Sequence, residues 1–368
     1  MAKDAIWFPE PSTSDDSWAT REEHTLDWLT RSSLPRAREA RRFLNECMLA
    51  LPADKQVETF KALRERWASA FFELIVLRYL HVLGAIVDIE VTDKRGNKPD
   101  FRAHFPDITV IVEAKSPNFT KVFGDAFTQQ IPLLKIIEDR VPNGWNVGIS
   151  ELPNIGPADS KRQFTSVVAR LFEPIALLEP LDQLELTQHF PNGTLRLCLV
   201  PARPNFRVIM WQPAVGGFDN SVEHIYSVVH HAKEQVRFSN APVLLAINGS
   251  GTDTPDDFDK ALFGHTAEWQ DWNGNITKQA FIQDGKLTKN RQNSATYAGV
   301  LVFPEVGFFG GPDPILYLDP RFVGVLPQSL LGLEQRVFHY EANIIEKRPS
   351  QIEDLSEQIG FVPRDVPR

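Results

Sequence analysis

Residues 96–117, GNKPDFRAHFPDITVIVEAKSP, constrain this chain more than any other stretch, because two runs of alternating character, 100–105 and 108–115, flank the turn-forming pair Pro106-Asp107. If those two residues are the whole turn of an antiparallel hairpin, Asp100 faces Glu113 and Lys98 faces Lys115. Strand side chains alternate between faces, so Asp100, Arg102 and His104 share one side with Glu113 and Lys115. Phe101, Ala103, Phe105, Val110, Val112 and Ala114 take the other side. Two acids held side by side repel and cost stability unless a cation lies between them. A divalent metal ion is the expected cation. The alternative is an ordinary charged sheet face, on which the two acids pair with Lys115 and Lys98. A slip of one residue would send either set to the opposite face, so everything rests on the length of the turn.

Upstream, residues 34–51 carry apolar side chains at helical spacing (Phe43, Leu44, Met48, Leu51), with Arg36, Arg38, Arg41 and Arg42 expected outside and Pro35 in the first turn. A longer helix is expected over 53–83, stopped by Gly84. Within it Glu73 is nearly surrounded by apolar residues, which points it at the interior or a cleft, unless it simply bridges a basic neighbour such as Arg78. A first strand over 85–92, the hairpin, a helix over 125–140 and a strand over 145–152 follow. The order helix, three strands, helix, strand thus spans 53–152 in a mixed α/β fold.

The remainder divides into an N-terminal arm and helix at 1–52, docked through Trp7, Trp18 or Trp28, and a linker with one helix at 153–192. Strands and helices resume at 193–348 as a C-terminal α/β extension, and 349–368 reads as a fraying polar tail. With 42% hydrophobic residues the chain can bury a large core, and a net charge of −9 excludes a uniformly basic nucleic-acid binder, so any polyanion site must be a local basic patch. The most apolar run, 70–91, is interrupted by Glu73, Arg78 and His81, and residues 1–18 have no apolar signal core. A soluble cytoplasmic protein without membrane contact is expected. Cys47 and Cys198 are too few for a disulfide framework and read as buried thiols. Three histidines, His224, His230 and His231, lack acids at ligand spacing. The turn around Gly249 and Gly251 lacks the lysine of a phosphate loop.

Pro99-Asp100, then Glu113-Ala114-Lys115 closing an apolar strand, with Glu73 on the preceding helix, resembles the PD-(D/E)xK nuclease superfamily over 53–152. The resemblance implies a restriction-endonuclease-like αβββαβ core with a mixed sheet, and a Mg²⁺- or Mn²⁺-dependent endo- or exodeoxyribonuclease in a bacterial defence or repair setting. It implies that Asp100, Glu113 and the Ala114 carbonyl hold the metal, that Glu73 completes that site through a water or holds a second ion, and that Lys115 orients or deprotonates the attacking water. Gln129 and Gln130, on the following helix, match the region of a further polar position, with Gln130 the choice of the two; the alternative is that both are exposed helix residues. Nucleic acid, DNA first, is the implied partner, with Lys94, Arg95, Lys98, Arg102 and Lys121 as phosphate contacts and Asn97 and Asn118 within reach of backbone or bases. A homodimer is compatible with this reading. The competing reading is a catalytically inactive nucleic-acid-binding or sensing module that keeps the fold.

Overall fold

The computed structural model describes residues 6–17, 23–90, 92, 96, 98–116, 132–153, 158–202, 209–211, 221–236, 241–249, 254–270, 276–288, 297–304, 313–322, 324–353 and 355–360. They fall into two compact units, one formed by residues 1–118 and 220–368, the other by 119–219.

The first unit begins with four helices, α1 (Thr25–Arg31), α2 (Pro35–Ala50), α3 (Ala53–Glu65) and α4 (Trp67–Val82). Pro35 occupies the first turn of α2, where the missing N–H costs nothing. Arg41, expected on the outside of α2, is instead buried: its guanidinium donates to the Leu29 and Ser32 carbonyls at 2.7 Å and to Glu10 at 2.6 Å. The N-terminal arm is held there and by Trp7, which packs on Phe60 and donates to Gln56, while Trp28 is buried; Trp18 lies outside the described residues. The single helix expected over 53–83 is two helices. Arg66, with φ −141° and ψ 58°, ends α3 and starts α4, and neither Gly nor Pro marks the break in the sequence.

Three strands follow, β1 (Ile86–Ile89), β2 (Phe101–His104) and β3 (Thr109–Lys115). β1 is shorter than the expected 85–92. The β2–β3 register is Phe101 to Val112, Arg102 to Ile111, Ala103 to Val110 and His104 to Thr109. That is the register expected from a two-residue turn at Pro106-Asp107, and it continues to Asp100 opposite Glu113. Phe101, Ala103, Val110, Val112 and Ala114 join the core beneath α4, as alternation requires.

The second unit carries helical residues 132–138 (α5), then β4 (Trp145–Glu151), α6 (Ala158–Phe172), β5 (Leu184–Phe190), β6 (Gly193–Pro201) and β7 (Ile209–Trp211). Its sheet runs β5-β6-β4-β7. Leu133, Leu134 and Ile137 of α5 and Phe164, Val168 and Phe172 of α6 bury one face of that sheet against Trp145, Val147, Leu195 and Leu197.

The chain then re-enters the first unit with α7 (Ser221–Val236), β8 (Val243–Asn248), α8 (Pro255–Phe263), the hairpin β9 (His265–Gln270) and β10 (Ile276–Ile282), β11 (Gly299–Phe303), β12 (Ile315–Leu318), α9 (Gln328–Leu331), β13 (Glu334–His339), β14 (Ile344–Arg348) and α10 (Leu355–Gln358). The main sheet has eight strands in the order β1-β2-β3-β8-β11-β12-β13-β14. β8 runs parallel to β3, with Glu113 beside Leu245 and Lys115 beside Ile247. The parallel strand needs a crossover helix, and α7 supplies it: Ile225, Val229 and Ala232 pack with Ile111, Leu245 and Ile247 on the face opposite α4.

This topology corrects the expected 53–152 core. The strand at 145–151 pairs with β6 and β7, not with β3. The helix and strand that complete the sheet beside β3 come from 221–248, which follow the 119–219 unit in sequence. Sequence order alone does not reveal which strands share hydrogen bonds, and the inserted unit begins with a helix and a strand of its own. Within the expected fraying tail, residues 355–360 are instead anchored, since Leu355 and Ile359 are buried in the core and the Ile359 carbonyl accepts from Arg78.

Gly249 follows the last residue of β8, where the chain still runs alongside the end of β11. Its N–H donates to the Phe303 carbonyl at 2.7 Å, and a Cβ at this position would stand 2.2 Å from the Pro304 carbonyl oxygen. Gly249→Ala is expected to cost about 1–3 kcal/mol through backbone displacement, read as a lower urea midpoint at unchanged slope. An unchanged midpoint would show that the close approach is not real.

Candidate active site

β2 begins only at Phe101 while β3 runs on to Lys115, so the last residues of β3 line a notch beside the start of β2. Pro99 and Asp100 stand across that notch. Asp100 Oδ2 accepts from the Ala114 N–H at 2.8 Å, and the Asp100 N–H lies 3.4 Å from Glu113 Oε2. A strand residue directs its N–H and C=O to the same side, so the Ala114 carbonyl also faces β2, where the register places Pro99, which has no N–H to give. The Ala114 carbonyl therefore lies beside two carboxylates, across from a proline that cannot donate to it.

Glu113 is only 1% exposed, and Lys115 Nζ reaches its Oε1 at 2.5 Å. Burial, followed by the charge of Glu113, pushes the Asp100 carboxyl up to about 7; the Ala114 N–H and Lys115 oppose the shift, and Glu73 adds to it. Glu73 is therefore close enough to be felt by Asp100, but its carboxylate is paired elsewhere: Arg66 Nη1 lies 2.6 Å from Oε1, and Ser69 Oγ lies 3.2 Å away. Among the described residues no group of three or more His, Cys, Asp or Glu side chains is gathered to hold a metal ion. Glu73, expected to complete a metal site through a water or to hold a second ion, is paired with Arg66, which stands at the helix break. The alternative reading of Glu73, a simple bridge to a basic neighbour, is what the structure shows, with Arg66 as the partner and not Arg78, whose guanidinium faces Glu46 and Ile359.

The anticipated phosphate contacts are only partly in view. Lys98 does not stand against Lys115 but pairs with Glu90 at 2.8 Å, as does Lys55 at 2.6 Å, and together these cations pull the Glu90 carboxyl below its usual range. Arg102 is half-buried, in register with Asp88 and Ile111. Lys94, Arg95, Asn97, Asn118, Lys121, Gln129 and Gln130 lie outside the described residues. His104, on the same face, bridges Asp88 and Thr109, each at 2.9 Å. Arg66 is the cation that sequence reasoning missed; its neighbourhood to Glu73 depends on the unmarked break between α3 and α4.

Elsewhere, the turn before α8 is closed by a capping box. Thr254 and Asp257 satisfy each other's backbone N–H groups, and Asp256 and Asp257 already complement the helix dipole, which disfavours an anion there. No helix among the described residues is long and apolar enough to cross a membrane. Of the two cysteines, Cys47 is buried and Cys198 half-buried.

No family model, curated protein or solved structure matches this chain.

Proposed function

We propose that this protein is a metal-dependent phosphodiesterase acting on nucleic acid, DNA first, through Asp100, Glu113 and Lys115. The observation that carries the reading is the register across the β2–β3 notch, which sets Asp100 opposite Glu113, puts the Ala114 N–H on Asp100, and lays Lys115 on the buried Glu113. The element order α4, β1, β2, β3, α7, β8, with β8 parallel to β3, agrees with a restriction-endonuclease-like αβββαβ core into which residues 119–219 are inserted.

The donors suit a hard cation: two carboxylates and a carbonyl, all oxygen, favour Mg²⁺ or Mn²⁺ over softer metals. Asp100, Glu113 and the Ala114 carbonyl would hold that ion, which when bound supplies Lewis acidity towards a phosphodiester and lowers the pKa of water. The chain's own contributions follow from placement. Glu113, buried and tied to Lys115, is a fixed carboxylate. Asp100 has its acidity weakened by burial and by Glu113, so positive charge arriving beside it would favour its anionic form. Lys115 Nζ stands where it can orient the attacking water and offset charge growing on the phosphate.

The test is degradation of DNA by the purified chain with Mg²⁺ or Mn²⁺, quenched by chelation. Expected is cleavage that requires the ion. Binding of DNA and RNA without cleavage under any of these ions would instead establish the inactive binding module.

A further inference from the structure

We infer that Arg66 is the phosphate-contacting cation of this site, held by Glu73 until that carboxylate turns towards a divalent ion, an inference that rests on the phosphodiesterase reading above. Three acids surround the notch. Among the described residues Glu113 pairs with Lys115, Glu73 with Arg66 and Ser69, and Asp100 accepts from the Ala114 N–H. Lys115 is committed to a buried partner, so its amine cannot leave without stranding a charge. Arg66 is under no such restraint, since its side chain is 49% exposed and its partner 26%.

An ion pair this open to water contributes little and separates cheaply. Arg66 also senses Asp100 and Glu90, which places the guanidinium at the border of the acidic cluster. Its backbone sits outside both helices, so the side chain is not packed into a helical face. A divalent ion between Asp100 and Glu113 would attract Glu73 and repel Arg66. Both forces act in the same direction: Glu73 gains the ion and Arg66 is released into solvent. A free guanidinium at the edge of a phosphodiester site offers two parallel N–H donors that match two phosphate oxygens. The same exchange explains why Glu73 is near Asp100 and yet joins no metal-binding group here.

The experiment measures binding of a short fluorescein-labelled DNA duplex to the full chain by anisotropy, with Ca²⁺ to support binding without turnover and with chelator. Arg66→Gln is expected to lose about ten-fold in affinity with Ca²⁺ and less than about two-fold without it. Arg66→Lys, which keeps the charge but not the fork, should fall between. Glu73→Gln frees Arg66 and should tighten ion-free binding by about three-fold or more. Urea midpoints establish that each variant is folded. Equal affinity of wild type and Arg66→Gln in Ca²⁺, with ion binding and cleavage otherwise intact, overturns the role of Arg66 alone. No gain in ion-free binding by Glu73→Gln overturns the holding role of Glu73. Absence of any ion-dependent change in wild type overturns this inference together with the phosphodiesterase reading.

Discussion

Lys115→Ala is expected to reduce single-turnover cleavage by about 10³-fold, the range seen when a positioned acid–base or charge-stabilising group is removed. The same substitution should lower stability by about 2–4 kcal/mol. Glu113 is 1% exposed and its Oε1 is held by Lys115 at 2.5 Å, so the variant leaves a buried carboxylate without its cation. Loss of activity alone therefore proves little, because an unstable variant also fails to cut. The double variant Lys115→Met with Glu113→Gln separates the two effects. It removes both charges at once, so urea denaturation should return to within about 1 kcal/mol of wild type, a coupling expected only for contacting residues. Cleavage should stay absent. A Lys115→Ala protein that cuts at the wild-type rate would remove Lys115 from the mechanism, and one that is inactive but fully stable would contradict the paired geometry.

The site was legible in the sequence to the extent that local geometry determines it. Pro106-Asp107 sets a two-residue turn, and strand alternation does the rest, so Asp100 opposite Glu113 follows from adjacent residues. Glu73 was legible as an anomaly, a carboxylate in an apolar helix, but its partner was not: the break at Arg66 carries no Gly or Pro, and tertiary packing overrides helix propensity there. The fold was legible as a list of elements and misread as a connection. Residues 145–151 have a valid strand pattern, and nothing local says that they pair with β6 and β7 while β8, about a hundred residues further on, takes the place beside β3. Lys98 shows the same limit on a smaller scale. Continued alternation puts it opposite Lys115, but β2 begins only at Phe101, and the lysine turns to Glu90 instead. β13 went unread because its burial comes from neighbours distant in sequence, and β14 because it has no buried residue to mark it. Buried Arg41 was hidden in a run of arginines that looks like a solvated face.

Asp100→Asn is expected to make the apo protein more stable at neutral pH while destroying its response to metal. Burial and the Glu113 charge raise the Asp100 carboxyl to about 7, far above its value in an unfolded chain near 4. Between those two values the folded state binds the proton more tightly than the unfolded state does, so this group lowers stability as pH rises through the window and its full cost is present above 7. Asparagine abolishes that slope. The gain above pH 7 should be about 1–3 kcal/mol, discounted from the full shift because Asp100 is only partly buried and shares its charge balance with Glu113. Near pH 4 the wild type and the variant should converge. Mn²⁺ reverses the comparison: an ion that binds only the folded state raises the wild-type melting temperature in proportion to the logarithm of its concentration, and Asn removes one of the two carboxylates that would hold it. The pair of curves is a sharper test than either alone. A general packing defect would lower stability at every pH and leave the Mn²⁺ response intact, whereas a destabilising acid kept for a metal gives the opposite sign on both axes. If Asp100→Asn melts below wild type at pH 8 without metal, or still responds to Mn²⁺ as wild type does, the two carboxylates are not a metal-binding pair.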